Sequence, residues 1–184
     1  QAVDEFQNSG GKAFFLGTHN PNAARVYHRL GWRKLSGANV MANISNNDSP
    51  EGFLTDYFRK PSPFNIRSAS NADRIPMIPL LLSPHDWQVL DANTEIYSTR
   101  YRVQNSCMGL YPKYSTLTEN QRGTWFSAVS NDGRLLGIAT VLLIDGITCQ
   151  IDGFAHKYHQ TCWKPLMQTA MDWAGKKGAS LWRA

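Results

Sequence analysis

The sequence predicts a mixed α/β fold, a central mixed sheet flanked by helices. Three observations predict it. Short apolar runs alternate with capped, amphipathic helical stretches. Three successive strand-like runs are joined by Asn131-Asp132-Gly133 and Asp145-Gly146, both hairpin signals. An amphipathic helix from about Trp163 to Lys177 then precedes another short strand, "SLW". At 184 residues, 42% hydrophobic and 18% charged, the chain has the size and composition to bury a full core. No apolar run approaches the roughly 18 residues of a membrane span.

The elements follow in order. Ala2 to Gln7 reads as the end of a helix closed by Gly10-Gly11, and "KAFFLGT" as a short buried strand. Asn20 is a natural N-cap with Pro21 at the first helical position, so a helix is expected from Pro21 to about Leu30. Ala23, Val26, Tyr27 and Leu30 would form its apolar face. Gly31 suits the left-handed position after it, with Trp32 packing back on the last turn. "WRKLSG" and "VMANI" read as strands. Turn formers at both ends of residues 45–63 predict a linker with one weak strand or turn.

A second unit begins at "FNIRSASNADR", a strand followed by a Ser70 or Asn71 cap. Pro76 and Pro79 predict a short or broken helix there. A better helix is expected from Asp86 to Arg102, and a surface connection from Leu110 to Arg122. The meander is then "TWFSAVS", "RLLGIATVLLI" and "ITCQIDGFA". Leu166, Met167, Ala170 and Trp173 face inward from the closing helix. The ends of the chain echo one another: "AVDEFQNSGGKAFFLG" and "AMDWAGKKGASLWRA" both read as helix, glycine stop, strand.

Charge and cysteine usage narrow the function classes. The net charge of +5 is concentrated. Residues 21–35 carry Arg25, Arg29, Arg33 and Lys34 with no acid, and residues 157–183 carry five basic residues against Asp172. Such patches suit a small polyphosphate or an ordinary solvated face; no aromatic-basic repeat points to nucleic acid. Cys107, Cys149 and Cys162 are odd in number and form no CxxC pair, which argues against a disulfide framework or a zinc site and for reduced thiols in a cytoplasmic protein. Gln1 is no initiator residue, so the chain is expected to continue upstream.

The spacing of Asn20, Ala23, Tyr27, Gly31 and Trp32, after a strand, resembles the closing motif of the GNAT superfamily of N-acyltransferases, N-x-x-A-x-x-x-Y-x-x-x-G-aromatic. The second unit is similar to the opening of such a domain. Residues 1–44 therefore resemble the C-terminal half of a first GNAT-like domain and residues 64–184 the N-terminal part of a second, separated by the 45–63 linker. The expectation is the middle segment of a tandem-GNAT protein, its halves docked into one composite domain or exchanged between the chains of a homodimer.

The resemblance implies acetyl-CoA as cosubstrate and a small-molecule or peptide amine as acceptor, with no membrane and no nucleic acid. It gives Tyr27 the departing thiolate, by hydrogen bond or as general acid, and Asp152 the orientation or deprotonation of the amine. Asn20 is a cap that would also touch the coenzyme. The family's pyrophosphate loop, R/Q-x-x-G-x-G/A, aligns with "YHQTCWKPL", which brings His159, Gln160, Thr161, Cys162, Trp163 and Lys164 to the coenzyme, with Phe154 on the preceding strand edge and His156 near the loop. Cys162 and Lys164 stand at or near the loop's expected glycines. That departure opens the alternative of a catalytically degenerate scaffold or ligand-binding module. No metal is expected, since two histidines alone make no metal site.

Overall fold

The computed structural model describes residues 2–46, 48–100 and 111–183. Helix α1 (Ala2–Asn8) and strand β1 (Ala13–Gly17) lead into α2 (Pro21–Arg29), β2 (Arg33–Lys34) and β3 (Val40–Ile44). The three strands make an antiparallel sheet of order β1-β3-β2. Asn20 caps α2 as expected, its side chain accepting from Asn22 N and Ala23 N. The helix ends in a Schellman pattern: Gly31, at φ +88°, donates to His28 O and Trp32 N to Tyr27 O. The Trp32 ring closes edge-on against Tyr27 at 5.7 Å. The expected apolar face is only half covered. Ala23 and Tyr27 are partly buried, but Val26 and Leu30 are 54% and 65% exposed.

The expected linker instead holds helix α3 (Pro50–Arg59). Ser49 caps it, with Pro50 at the first helical position, and Leu54 and Phe58 are buried on one face. Strand β4 (Phe64–Ser68) leads through a 3₁₀ turn into α4 (Arg74–Leu82). Asp73, buried at that turn, takes a bidentate pair from Arg67 (2.6 and 2.8 Å) and the Ser70 N–H. Helix α4 is short, as expected, and runs unbroken through its prolines. Pro76 lies in its first turn, where an N–H would have no partner, and Pro79 forfeits a single bond in a helix whose flanks are buried on both sides.

The helix expected over residues 86–102 is a hairpin over its described part, β5 (Val89–Asp91) and β6 (Ile96–Tyr97); residues 101 and 102 lie outside the described residues. Asp91 to Thr94 make the turn, and local side-chain bonds of Asp and Asn there outcompete helix. The connection expected after Leu110 contains α5 (Tyr111–Glu119), anchored by buried Tyr114 and Leu117. The meander is as expected: β7 (Gly123–Ser130), β8 (Leu135–Leu143) and β9 (Thr148–Ala155), then α6 (Trp163–Lys176) and β10 (Leu181–Arg183). The five strands form one mixed sheet, order β10-β9-β8-β7-β4, antiparallel except for the parallel β9–β10 pair. Trp125, Thr140 and Asp152 stand in one cross-strand row on the face covered by α5 and the hairpin. Gly137, whose Cβ would touch Leu166, belongs to the opposite face, under α6.

The two halves do not merge into one composite sheet. The strands of residues 13–44 keep to their own sheet, and the halves meet through helices. Leu54 of α3 and Ile78 and Leu82 of α4 fill the small core; Phe58, Met77, Leu80 and Leu81 fill the large one. Full burial of a residue such as Phe58 contributes about 2–3 kcal/mol. Arg134 ties the joint from the β7–β8 turn. Its Nη1 donates to Tyr57 O and Lys60 O at the end of α3 (2.8 and 2.9 Å), and its Nε to Asp132 (2.9 Å). Arg134→Ala leaves those carbonyls bare at the joint and should cost about 2–4 kcal/mol in urea unfolding. A loss under about 0.5 kcal/mol would contradict this role.

Candidate functional site

The sheet row Trp125–Thr140–Asp152 carries a buried polar cluster that the β5–β6 hairpin closes. Asp152 is held on both oxygens, Oδ2 by Ala92 N at 2.6 Å and Oδ1 by Gly153 N at 2.8 Å. Asp91 is fully buried beside it. Thr140 Oγ1 and Asn93 N donate to Asp91 Oδ1 at 2.9 and 3.0 Å. Asn93 Nδ2 donates in turn to Thr140 Oγ1 and Gln150 O, stitching the hairpin to β8 and β9. Thr94 and Tyr114 crowd the same carboxyl. Asp91 Oδ2, Asn93 Oδ1, Thr94 Oγ1 and Tyr114 OH are all buried in this cluster.

The Asp91 carboxyl sets the chemistry of this cluster. Burial pushes the Asp91 carboxyl up to about 6, assisted by the neighbouring charge of Asp152 and opposed by the hydrogen bonds of Thr140 and Thr94. At neutral pH such a group is mostly ionised and a stronger base than an ordinary carboxylate by about two units, roughly 3 kcal/mol. Burial also raises the Tyr114 phenol well above its usual range, which keeps it a donor. The cluster therefore holds a base, Asp91, and a neutral donor, Tyr114, buried beneath the hairpin.

The other residues singled out from the sequence are placed as follows. The segment ahead of α6 is a 3₁₀ turn, Lys157–Cys162. His156, His159 and Cys162 are buried beneath it, and Phe154 packs edge-on against His85 at 5.1 Å. His156 stacks on Phe58 at 4.0 Å, and burial lowers it to about 3; His159 Nε2 meets Phe58 O at 2.8 Å. Burial pushes the Cys162 thiol up to about 12. Three of the turn's N–H groups already have partners: Tyr158 N on His156 Nδ1, His159 N on His156 O, and Trp163 N on Gln160 O. Gln160, Thr161 and Lys164 are exposed and Trp163 is partly buried. Asn20 caps α2 and Tyr27 lies on that helix, among the elements of the small sheet rather than with Asp152 on β9. The cavity beside Asn20, about 310 Å³, is lined by residues 18–41 alone.

Cys149 and Cys162 are free, and Cys107 lies outside the described residues. Among the described residues no group of three His, Cys, Asp or Glu could hold a metal ion, and no helix is long and apolar enough to cross a membrane.

No family model and no curated protein sequence matches the chain. Among solved structures it is similar to glucosamine-6-phosphate N-acetyltransferase from Arabidopsis thaliana, with 12% identity over 66% of this chain and 80% of that one, TM-score 0.46. It is also similar to the spermidine/spermine N-acetyltransferase SpeG from Vibrio cholerae, at 14% identity over 61% of each chain and TM-score 0.42. A putative acetyltransferase from Acinetobacter baylyi gives 14% identity, 64% and 65% coverage and TM-score 0.40. The chain spans less than two thirds of the last two. At these scores the similarity assigns neither an activity nor a substrate.

Asp91, Asn93 and Thr94, with Tyr114 and Thr140 from other elements, form a cluster that a helical reading of residues 86–102 does not bring together. The signal was the run Asp91-Ala-Asn93-Thr94 between two apolar pairs, Val89-Leu90 and Ile96-Tyr97, which reads as a turn once period-two patterning is tried.

Proposed function

We propose that the chain belongs to an acyl-CoA-dependent N-acyltransferase of GNAT type, moving an acetyl group from acetyl-CoA to a small-molecule or peptide amine. One observation carries the reading: a buried Asp91 carboxyl raised to about 6 lies beside Asp152 of β9, a member of the parallel β9–β10 pair. In this reading Asp152 fixes the hairpin and Asp91 takes the proton from the incoming ammonium. That transfer, from an amine near 10.4 to a carboxyl near 6, is uphill by about 6 kcal/mol in water, and burial of the ammonium lowers it. Residues 1–44 and 64–184 would be halves of successive domains joined by residues 45–63. Tyr27 and Asn20 would then serve the first domain's site, and the residues from Phe154 to Lys164 the coenzyme site of the second. The segment in the position of the pyrophosphate loop would meet the coenzyme through Lys164 and the start of α6 rather than through an open nest of N–H groups. A cytoplasmic setting fits two free thiols.

A second reading rests on the same turn. With three of its N–H groups engaged internally, a degenerate scaffold or ligand-binding module is the alternative. Calorimetric titration with acetyl-CoA separates the two. The enzyme reading expects saturable binding with a dissociation constant in the micromolar range. Absence of heat up to about 1 mM coenzyme would leave only the second.

A further inference from the structure

Three buried histidines meet where the last turns of α3 and α4 touch the 3₁₀ turn Lys157–Cys162. The His156 ring stacks on Phe58, and its centroid lies 6.3 Å from that of His85 and 6.0 Å from that of His159. The three rings differ in what a proton does to them. His85 Nε2 and His159 Nε2 donate to Leu80 O and Phe58 O at 2.7 and 2.8 Å, bonds that an imidazolium would keep. His156 Nδ1 instead accepts from Tyr158 N at 3.3 Å, capping the turn, so that nitrogen carries no proton while the turn is closed. No carboxylate among the described residues bonds any of the three rings. Lys157 of the turn faces His156 and His85. Asp86 faces His85 but pairs with Arg100, and Arg134 and Asp132 of the β7–β8 turn face His159 but pair with each other. Helices α3 and α4 present the Phe58 ring and backbone oxygens, and β9 presents Phe154.

We propose that this turn is an acid-released latch: protons taken up by His156, with His85 and His159 beside it, free the turn from α3 and α4 while the five-stranded sheet stays folded. A proton on His156 Nδ1 removes the acceptor of Tyr158 N and places a cation in a buried stack with no anion to meet it. A second or third proton adds like charge about 6 Å away. The turn is the element that yields first. Lys157, Gln160 and Thr161 are exposed, and His159 departs from helical geometry at φ −130° and ψ 33°. Strand β8, by contrast, is paired on both edges and buried from Leu135 to Val141. Burial lowers all three imidazoles, His156 to about 3 from the ordinary 6.5. The closed turn therefore keeps its full stability above about 6.5 and loses it as pH falls towards about 3. The latch is independent of the acyl-transfer reading, since it needs no coenzyme.

Two NMR measurements on the intact chain test it. Nitrogen-15 spectra of the imidazoles at about pH 6 should show His156 neutral, with its proton on Nε2. Amide hydrogen exchange, corrected for the intrinsic effect of pH on exchange, should show protection at Tyr158, His159 and Trp163 falling at least about 10²-fold between about pH 7.5 and 4.5. One imidazole moving from about 3 to about 6.5 on opening supplies that ratio. Amides of β8 should remain at least about 10²-fold better protected than those of the turn at about pH 4.5. His156→Asn keeps an acceptor for Tyr158 N but takes no proton, and its turn should lose at least about tenfold less protection over the same range. If that variant fails to fold, the two wild-type measurements still decide. A charged His156 at about pH 6, equal protection of turn and β8 at about pH 4.5, or an unchanged acid response in His156→Asn would each overturn the latch.

Discussion

Asp91→Asn should make the protein more stable at pH 7 and remove its proposed chemistry. The carboxyl is raised in the folded chain to about 6 from an unfolded value near 3.8. A raised acid favours the folded state while protonated, and that advantage is lost as pH rises through the folded value. At pH 7 the buried charge therefore costs about two units, or roughly 3 kcal/mol. The variant keeps an oxygen for Thr140 and Asn93 N and offers its new NH2 to the oxygens of Thr94 and Tyr114 beside it. A gain of about 1–3 kcal/mol at pH 7, shrinking towards zero near pH 4, is the expected result of paired thermal melts. For a chain of this size that is a rise of several degrees. A site kept for function against stability behaves this way. An equal or lower melting point at pH 7 would show that Asp91 is an ordinary structural carboxylate.

The largest loss of stability is expected from Gly153→Ala, one residue beyond Asp152. Gly153 has φ +147°, a conformation essentially confined to glycine. A Cβ there would lie 2.2 Å from Ile138 O and 2.7 Å from Ala139 Cα, backbone atoms of the paired strand. No side-chain rotation relieves a clash with backbone, so β8 and β9 must part where Asp152 is mounted. The expected cost is at least about 4 kcal/mol, seen as loss of the cooperative transition or of soluble protein at 37 °C. Gly133→Ala is the control: it shares a positive φ of +82° but meets nothing within 4 Å, so only about 1 kcal/mol is expected. Similar melting points for the two variants would contradict the close-approach argument.

What the sequence made legible follows from which signals are local. The cap at Asn20, the Gly31 stop, the Asn131–Gly133 and Asp145–Gly146 turns and the Trp163–Lys176 helix are all written within a few residues of themselves, and each stands where expected. Helix α3 was obscured because the turn formers around it read as a linker until it is known that Ser49 caps it and Pro50 falls in its first turn; α4 was legible as a short helix. The separation of the two sheets depends on Leu54, Phe58, Ile78 and Leu82 choosing cores across a gap, which no spacing reveals. Of the buried cluster, Asp152 was placed by the sequence on the last meander strand, where it stands. Asp91 was not, because its burial and its neighbours Thr140 and Tyr114 come from segments about 50 and 20 residues away.

The most direct test of the central claim, that the Asp91–Asp152 cluster is a reaction centre for acyl transfer, is thiol release from acetyl-CoA with and without a panel of primary amines. It would be measured from pH 5 to 9 on the wild type and on Asp91→Asn. Amine-dependent release is expected in the wild type, with a rate rising through about pH 6 as Asp91 ionises. In the variant it should fall by about 10²–10⁴-fold while coenzyme affinity is unchanged. Release that is independent of amine, or equal in the two proteins, would contradict it.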